Sequence, residues 1–338
     1  MIRRWVEQLW YSPSGIVKGV QWLLLPLSLL FCLLVSLRRW GYQNAILKSA
    51  HPGVPVVVVG NISVGGSGKT PLVIALVHWL QQQGHTPAVV SRGYGRVDEE
   101  QLIAVTAVSD PQQVGDEPLL IAQQSGAIVV VAGDRYAAAS HAISLGASII
   151  VGDDGLQHYR LQRDFEIAVV DSQRQFGNRY CLPAGPLREG LPRLHQVDAV
   201  VLNGGGDAEQ ITPGVAAMAM QLRAGRLYQL GAPERYCELS ELVATPLHAV
   251  AGIAHPERFF TLLQNAGIRL IPHPFPDHHP YNSSDFEFAE RYPVVITEKD
   301  AVKCAELQLE QLIWVLPVTV EIDPQLLQRL SQQLPSLN

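Results

Sequence analysis

The stretch that decides the fold runs from Val56 to Pro71 and reads VVVVGNISVGGSGKTP. Its run of valines predicts a buried β-strand, because β-branched side chains favour an extended backbone. The strand ends at Gly60, and a glycine-rich turn then leads into Gly68-Lys69-Thr70. That order is typical of a phosphate-binding loop, whose pattern is Gly, four residues, then Gly-Lys-Ser/Thr. The first position of the pattern is Ser63 here, which departs from the usual glycine.

The loop has a physical basis for binding ATP phosphates. Backbone N–H groups of a glycine-rich turn point at phosphate oxygens, and the following helix N-terminus adds partial positive charge. Lys69 is expected to reach the β- and γ-phosphates, and the Thr70 hydroxyl to bind Mg²⁺. The alternative is a glycine-rich turn without a ligand. We expect nucleotide contacts from the whole loop: Ser63, Val64, Gly65, Gly66, Ser67, Gly68, Lys69 and Thr70.

Apolar strands alternate with helices after residue 53, which indicates an α/β fold. Because the strands are apolar on both faces, we predict a P-loop NTPase-type parallel sheet with flanking helices. Further strands are predicted at Thr86–Val90, Ala127–Ala132, Ser148–Val151, Ile167–Val170 and Ala199–Leu202.

The chain divides into three predicted segments. Residues 1–45 form an N-terminal membrane-associated helical segment, and residues 46–240 form the P-loop domain. Gly, Pro and short alternating pieces between about 204 and 247 indicate a junction with antiparallel strands. Residues 241–338 form a smaller C-terminal α/β domain, in which we predict a helix near Ser284–Arg291.

The overall composition indicates a folded protein with no general affinity for nucleic acid. The 338 residues are 47% hydrophobic, and the formal net charge is −6, whereas nucleic-acid-binding domains carry basic patches. Four scattered cysteines without a Cys-x-x-Cys pair indicate neither a zinc site nor a disulfide framework, and fit a reducing compartment.

The N-terminal segment contains an uncharged apolar run from Val20 to Leu37, flanked by Lys18 and Arg38-Arg39. Its length is at the short end of the roughly 17–25 residues of a membrane-spanning helix. A buried core helix is the alternative, but such helices usually carry a polar stripe. We expect a helix that inserts into, or lies in, a membrane surface, with tryptophans near the interface. These are Trp5, Trp10, Trp22 and Trp40.

Carboxylates after later strands are candidate Mg²⁺ ligands. Asp153-Asp154 follows one strand and Asp171 follows another. We favour the adjacent pair, because two carboxylates at one strand end repel each other unless a cation lies between them. Either candidate could instead cap a loop or a helix.

Two further segments hold groups that could serve acid–base chemistry. Asp116 and Glu117 in VGDEP could be catalytic or could simply begin a helix, and the residues leave both interpretations open. His278 and Asp277 in HPFPDHHPY could form a His–Asp pair or bind a metal. A GTPase would carry Asn/Thr-Lys-x-Asp, and the nearest segment, TEKD, has Lys299 one place too late.

The ordered set of motifs resembles the tetraacyldisaccharide 4'-kinase family of the lipid A pathway, including the serine at the start of the loop. The resemblance extends from the apolar N-terminal helix to about Lys303. The motifs are NISVGGSGKTP, SRGYGR, VGDEP, DDGLQH, LPAGPLRE, FPDHHPY and TEKDAVK.

The resemblance implies transfer of the ATP γ-phosphate to the 4'-hydroxyl of a tetraacyldisaccharide 1-phosphate, which forms lipid IVA. Asp116 would accept the hydroxyl proton, His278 would orient Asp116, and Lys69 would neutralise phosphate charge. Glu189 becomes a candidate for ATP and Mg²⁺, and Asp153 and Asp154 for the metal. The implied acceptor contacts are Arg92, Tyr94, Glu117 and His158.

The implied place of action is the cytoplasmic face of the bacterial inner membrane, with the lipid substrate and the membrane surface as partners. We expect no obligate protein partner and no nucleic acid. Two rival functions share the loop and the apolar helix: a membrane-associated P-loop ATPase that acts as a switch, and a nucleotide-binding subunit of a transporter.

Overall fold

The computed structural model describes residues 2–12, 14–305, 307–309 and 311–334. The strands are β1 Val56–Gly60, β2 Pro87–Ser91, β3 Ile103–Val105, β4 Ile128–Val131, β5 Ile149–Asp153, β6 Phe165–Asp171, β7 Ala199–Asn203, β8 Ala217–Ala224, β9 Leu227–Gln229, β10 Ala232–Cys237, β11 Leu247–Ala251, β12 Leu270–Pro274, β13 Val294–Thr297, β14 Ile313–Leu316 and β15 Val318–Ile322. The helices are α1 Ile2–Tyr11, α2 Ile16–Gln43, α3 Lys69–Gln82, α4 Pro111–Val114, α5 Asp116–Ser125, α6 Arg135–Ser144, α7 Ala208–Ile211, α8 Pro256–Asn265, α9 Glu298–Cys304 and α10 Pro324–Gln333.

The first sheet has nine strands in the order β15-β8-β7-β6-β1-β5-β2-β4-β3. Strands β8 through β4 of this order pair in parallel, and the edge strands β15 and β3 pair antiparallel to their neighbours. The predicted P-loop NTPase-type parallel sheet is therefore confirmed.

Strand β1 lies inside this sheet, and its side chains alternate between two cores. Val57 and Val59 pack in the cluster that contains Leu72 and Leu76 of α3. Val56 and Val58 pack in the opposite cluster, which contains the alanines of α6. Because both faces are covered, the strand can be uniformly apolar, which explains the valine run.

The second sheet has six strands in the order β10-β9-β14-β13-β11-β12. Strands β14, β13, β11 and β12 are parallel, whereas β9 and β10 join antiparallel. The two sheets interleave along the chain: β9 and β10 precede residue 240 but belong to the second sheet, and β15 returns to the first. The boundaries 46–240 and 241–338 therefore stay a proposal, with this exchange of segments across them.

The helix predicted near Ser284–Arg291 is wrong. The chain forms only a short 3₁₀ turn at Ser283–Phe286, with Asn282 as its cap. Phe286 is buried, and Phe288 stacks on the rings of His248 and His273 with centroids 4.1 and 4.2 Å apart. Inward residues two apart require an extended backbone, since a helix would place them on different faces.

Helix α2 is apolar outside and polar inside. Its 28 residues include an 18-residue window with a mean hydropathy of 2.2, of which 11% is buried. Gln21, Ser28 and Gly41 are its buried residues, and Ser28 Oγ donates to the Cys181 carbonyl at 2.6 Å. A core helix would have the reverse pattern, so the buried-core alternative is wrong. By length and composition, α2 is able to cross or enter a membrane.

Some N-terminal tryptophans are exposed, and one contacts the rest of the protein. Trp22 and Trp40 are exposed on α2. Trp10 instead turns toward the protein, where its Nε1–H donates to the Pro183 carbonyl at 3.0 Å. It therefore helps hold α1 against the body.

Replacing Leu23, Leu30 and Leu34 together with glutamine should lower membrane binding strongly without unfolding the chain. All three side chains are at least half exposed, and burying a leucine contributes roughly 1.5–3 kcal/mol. We expect co-flotation with phospholipid vesicles to fall by well over tenfold, and the melting temperature to change little. Leu145→Gln, at an exposed leucine away from α2, is the control. Unchanged flotation of the triple variant would place the membrane contact elsewhere.

Candidate active site

The loop between β1 and α3 is shaped by contacts that only glycine permits. Gly68 adopts φ 86°, and a Cβ there would lie 2.2 Å from Asn203 Nδ2. Asn203, at the end of β7, donates from that nitrogen to the Ser67 carbonyl at 3.0 Å. Asn61 Nδ2 lies 3.3 Å from both the Gly65 carbonyl and Ser67 Oγ. Side-chain amides from two strand ends thus hold the loop in the form that precedes α3.

Ser63 is tolerated because its position needs no positive φ. It forms an antiparallel bridge with Leu187, and Val64 N donates to the Pro186 carbonyl at 2.8 Å. Arg188 N donates in turn to the Ile62 carbonyl at 2.7 Å. The LPAGPLRE segment therefore lines the entrance of the loop.

Asp154 lies at the loop between two cations. Its Oδ1 is 3.4 Å from Lys69 Nζ, and its two oxygens are 3.0 and 2.9 Å from Arg188 Nη1. Burial alone would raise the pKa of Asp154, but Lys69 and Arg188 hold it well below its usual range. The carboxylate is therefore ionised at neutral pH.

Asp153 has the opposite character. It is the last residue of β5 and 2% exposed, and Ser91 Oγ donates to its Oδ2 at 3.2 Å. Its buried Oδ1 has no hydrogen-bond partner among the residues that the structure describes. Burial, together with Glu117 and Asp154, raises the pKa of Asp153 to about 7. A buried oxygen without a partner is what a cation would satisfy.

These groups fit a nucleotide-bound Mg²⁺. The described residues contain no cluster of three or more His, Cys, Asp or Glu side chains that could hold a metal by themselves. Mg²⁺ is commonly bound by one or two carboxylates together with substrate phosphates and waters. Asp153, Asp154 and Thr70 in the first turn of α3 can supply such a partial set. The competing Asp171 pairs with Arg258 and accepts from the Gln173 and Arg174 backbone N–H groups, all through Oδ1. Its buried Oδ2, like Asp153 Oδ1, has no hydrogen-bond partner among the described residues.

The structure brings Asp116 and His278 together although 162 positions separate them. Asp116 begins α5, and His278 comes from the loop after β12 with φ 60°. His278 Nδ1 lies 3.0 Å from Asp116 Oδ2. Burial would raise the pKa of Asp116, but the hydrogen bond from His278 and the nearby Lys303 lower it below its ordinary value. An ionised, oriented carboxylate of this kind can accept a proton.

Two cavities are lined by neighbouring residues at the start of α5. One, of about 340 Å³, is lined by Asp116, His278, Tyr94 and Val97. The other, of about 250 Å³, is lined by the phosphate loop, Glu117 and residues of the second sheet's domain, including His255 and Lys299. The adjacent residues Asp116 and Glu117 therefore face two different chambers, one of which contains the loop.

The remaining predicted residues have varied surroundings. Tyr94 lies beside His278, with ring centroids 5.7 Å apart, whereas Arg92 pairs with Glu99 at 2.7 Å. Glu117 pairs with Lys299 at 2.9 Å.

His158 lies in the segment between β5 and β6, and Glu189 is the last residue of LPAGPLRE. Burial and the neighbouring Arg135 lower the pKa of His158 to about 3, so its ring is neutral. Glu189 accepts from Tyr159 and from Gln157, whose Nε2 also donates to the Asn61 carbonyl at 3.1 Å. Glu189 thus supports the loop through Gln157.

Four residues at the site were not singled out from the sequence. Arg188 neighbours the predicted Glu189, and its motif was the available signal. Lys299 and Lys303 lie in the TEKDAVK motif, which was the available signal for both. Asn203 gave no separate signal, because polar residues at strand ends are commonly exposed.

Comparisons with known proteins show the family to which the chain is similar. Residues 20–335 match the sequence profile of the family described as "Tetraacyldisaccharide-1-P 4'-kinase". The chain is 46% identical to the tetraacyldisaccharide 4'-kinase of Methylobacillus flagellatus, over 99% of this chain and 97% of that protein. It is 47% identical to the enzyme of the same name from Alkalilimnicola ehrlichii, over 93% and 92%.

A solved structure is similar over almost the whole fold. It is LpxK from Aquifex aeolicus in complex with ATP, with a TM-score of 0.78 and 28% identity. The match covers 94% of this chain and 100% of that one.

Asp153→Asn should stabilise the protein at alkaline pH in the absence of divalent cations. The folded-state pKa near 7 exceeds the unfolded value of roughly 3.9, so wild-type stability falls as pH rises from about 4 to about 7. The variant lacks this ionisation, and its melting temperature at pH 8 should exceed that of the wild type by several degrees. The exposed Asp98→Asn serves as control. Parallel stability–pH curves for Asp153→Asn and the wild type would show that Asp153 is not held protonated.

Proposed function

The chain belongs to the tetraacyldisaccharide-1-P 4'-kinase family, and from that premise we propose how its residues perform the transfer. The reaction moves the γ-phosphate of ATP to the 4'-hydroxyl of a tetraacyldisaccharide 1-phosphate, and the product is lipid IVA. The observation that carries the assignment is the contact of Asp116 with His278, next in the chain to Glu117, which lines the cavity of the phosphate loop.

ATP binds with its phosphates in the loop between β1 and α3. Backbone N–H groups of Gly65, Gly66 and Gly68 surround the phosphates, and the N-terminus of α3 points at them. Lys69, now paired with Asp154, reaches the β- and γ-phosphates. Since phosphoryl transfer has a loose transition state, neutralising this charge and aligning the reactants supply most of the catalysis.

Mg²⁺ would be held by Thr70, Asp153 and Asp154, and when bound it neutralises charge on the β- and γ-phosphate oxygens. The support is the buried oxygen of Asp153 that lacks a partner within the described part of the chain. Arg188 fixes the orientation of Asp154 from the side of the LPAGPLRE segment.

Asp116 is the general base. The 4'-hydroxyl proton passes to the Asp116 carboxylate, the hydroxyl oxygen forms a bond to the γ-phosphorus, and the bond to the β–γ bridging oxygen breaks as ADP leaves. His278 Nδ1–H donates to Asp116 and fixes which oxygen faces the sugar. Tyr94 and Arg92 border the acceptor side, with His158 and Glu117 as further contacts to the acceptor or the moving phosphate.

The acceptor chains remain in the membrane while the sugar enters the cavity beside Asp116. The exposed apolar face of α2 supports this placement, since it offers a lipid-facing surface without disturbing the core. ATP is supplied from the cytoplasm, so we place the enzyme at the cytoplasmic face of the inner membrane, with the lipid and the membrane surface as its partners. A hydrolytic switch or a transporter subunit would leave the Asp116–His278 pair without a role.

Asp116→Asn should reduce acceptor phosphorylation by about 10²–10⁴-fold, the range for loss of a general base. Asparagine preserves size but cannot accept the proton. ATP affinity should change little, because Asp116 faces the other chamber. The assay follows transfer of labelled γ-phosphate to the purified lipid acceptor. Asp207→Asn, another aspartate at a helix start, is the matched control. Label that appears only in free phosphate with the wild-type enzyme would refute the kinase assignment.

His278→Ala combined with Asp116→Asn should cost little more than Asp116→Asn alone. Residues that act as one unit show strongly non-additive losses, and His278 is proposed to act through Asp116. Single-turnover rates of the two single variants and the double variant measure the coupling. Multiplicative losses would indicate that His278 has an independent role.

A further inference from the structure

We propose that Lys303 is a positioning residue for Asp116. The buried Asp300 fixes the Lys303 ammonium group, and that ammonium group orients the Asp116 carboxylate toward the acceptor hydroxyl. This inference rests on the proposed role of Asp116 as the base. Lys303 lines the cavity beside Asp116, and its proposed role is exerted through the Asp116 carboxylate.

The Lys303 ammonium group is buried and surrounded by fixed partners. Its side chain is 7% exposed, and Nζ lies 2.9 Å from Asp300 Oδ1 and 3.9 Å from Asp116 Oδ2. It also donates to the Gly252 carbonyl at 3.3 Å and lies 4.9 Å from the centroid of the Tyr281 ring. A buried ammonium must be paired. Asp300 and the Gly252 carbonyl fix its position, while Lys303 and Tyr281 themselves line the cavity beside Asp116.

Asp300 is a fixed anchor. It is fully buried, and its carboxylate accepts from Gly252 N at 3.2 and 3.1 Å, from Tyr281 Oη at 3.2 Å and from Thr297 Oγ1 at 2.6 Å. Together with Lys303 these donors occupy about all the acceptor positions of one carboxylate, roughly four. Asp300 is therefore held in place by its neighbours, and it fixes Lys303 in turn.

Asp116 is surrounded by charges of both signs. Its own helix presents Glu117, and the loop after β12 presents His278 and Asp277. Helix α9 presents Lys299 and Lys303, each also paired with another carboxylate. The loop between β2 and β3 presents the Tyr94 ring beside His278.

The two lysines have different geometry. Lys299 Nζ forms ion pairs with Glu117 Oε1 at 2.9 Å and with Asp277 Oδ1 at 3.3 Å. Lys303 Nζ lies 3.9 Å from Asp116 Oδ2. After the hydrogen bond from His278, Lys303 lowers the pKa of Asp116 most. Lys303 thereby offsets the burial that would otherwise protonate the base.

The position of Lys303 depends on how α9 packs on α5. Gln124 near the end of α5 donates to Glu298 at the start of α9 at 2.5 Å, and Asp116 at the start of α5 meets Lys303 near the end of α9. The two helices therefore run in opposite directions, with contacts at both ends. The base from one domain is completed by His278 and Lys303 from the other.

The test is the pH profile of kcat/KM for the lipid acceptor in Lys303→Gln. Glutamine keeps a donor for Asp300 but removes the charge, so the acidic limb, below which the base is protonated, should move to higher pH by about one unit or more. The loss should be larger at pH 6 than at pH 8.5, and KM for ATP should stay near the wild-type value. Lys303→Arg should restore much of the limb, and Lys48→Met, at an exposed lysine, should match the wild type.

Asp300→Asn provides a test of opposite sign, which also serves if Lys303→Gln does not fold. Removing the Asp300 charge leaves Lys303 less compensated, so the acidic limb should move to lower pH. A uniform loss at every pH with the limb unmoved in either folded variant would overturn the proposal and make Lys303 merely structural. Failure of the base role itself is distinguishable, because Asp116→Asn would then retain near wild-type transfer.

Discussion

Buried carboxylates must be compensated, and this requirement determines how the two sheets of the molecule come together. Asp154 and Asp171 lie at the carboxyl edge of the first sheet and pair with Arg188 and Arg258. Asp116 and Glu117 begin α5, and helix α9 supplies Lys303 to Asp116 and Lys299 to Glu117. An ionised group left unpaired in such a place costs several kcal/mol, so the interface has little freedom to rearrange without exposing these carboxylates to water. Asp153 is the exception, because burial and the neighbouring Glu117 and Asp154 raise its pKa.

The N-terminal helix α2 exposes apolar side chains instead of burying them. Its buried residues are Gln21, Ser28 and Gly41, and most of its leucines face outward. Water would penalise this arrangement, whereas lipid would favour it. The adjoining α1 is tied by Trp10 and by Asn178 to the segment that continues into LPAGPLRE, and that segment borders the phosphate loop. The N-terminal helices and the phosphate loop thus contact one continuous segment, residues 178–189.

The sequence predicted those features whose cause is local. The valine run of β1 and the glycine-rich turn depend on neighbouring residues, and both were confirmed. The pairing of Asp116 with His278 depends on two segments 162 positions apart, so only the family resemblance could connect them. Asp300 and Lys303 resemble an exposed i, i+3 pair on a short helix, and nothing in the sequence shows that one is fully buried. The helix predicted near Ser284–Arg291 is absent for a related reason. Phe288 stacks on the ring of His248, and local propensity does not predict a contact with a residue so distant in the sequence.

The adjacency of Asp116 and Glu117 gives the site its geometry. Successive residues at a helix start point in different directions, so one side chain can line the acceptor cavity while the next lines the chamber of the phosphate loop. A phosphoryl group that passes between the two chambers must pass close to this corner. The corner is fixed by the N-terminus of α5 and by α9 packed against it, and α9 carries both Lys299 and Lys303. Asp116 meets His278 and Lys303 where the loop after β12 and helix α9 pack against the start of α5. The surroundings of its carboxylate therefore depend on how the elements of the two sheets pack together.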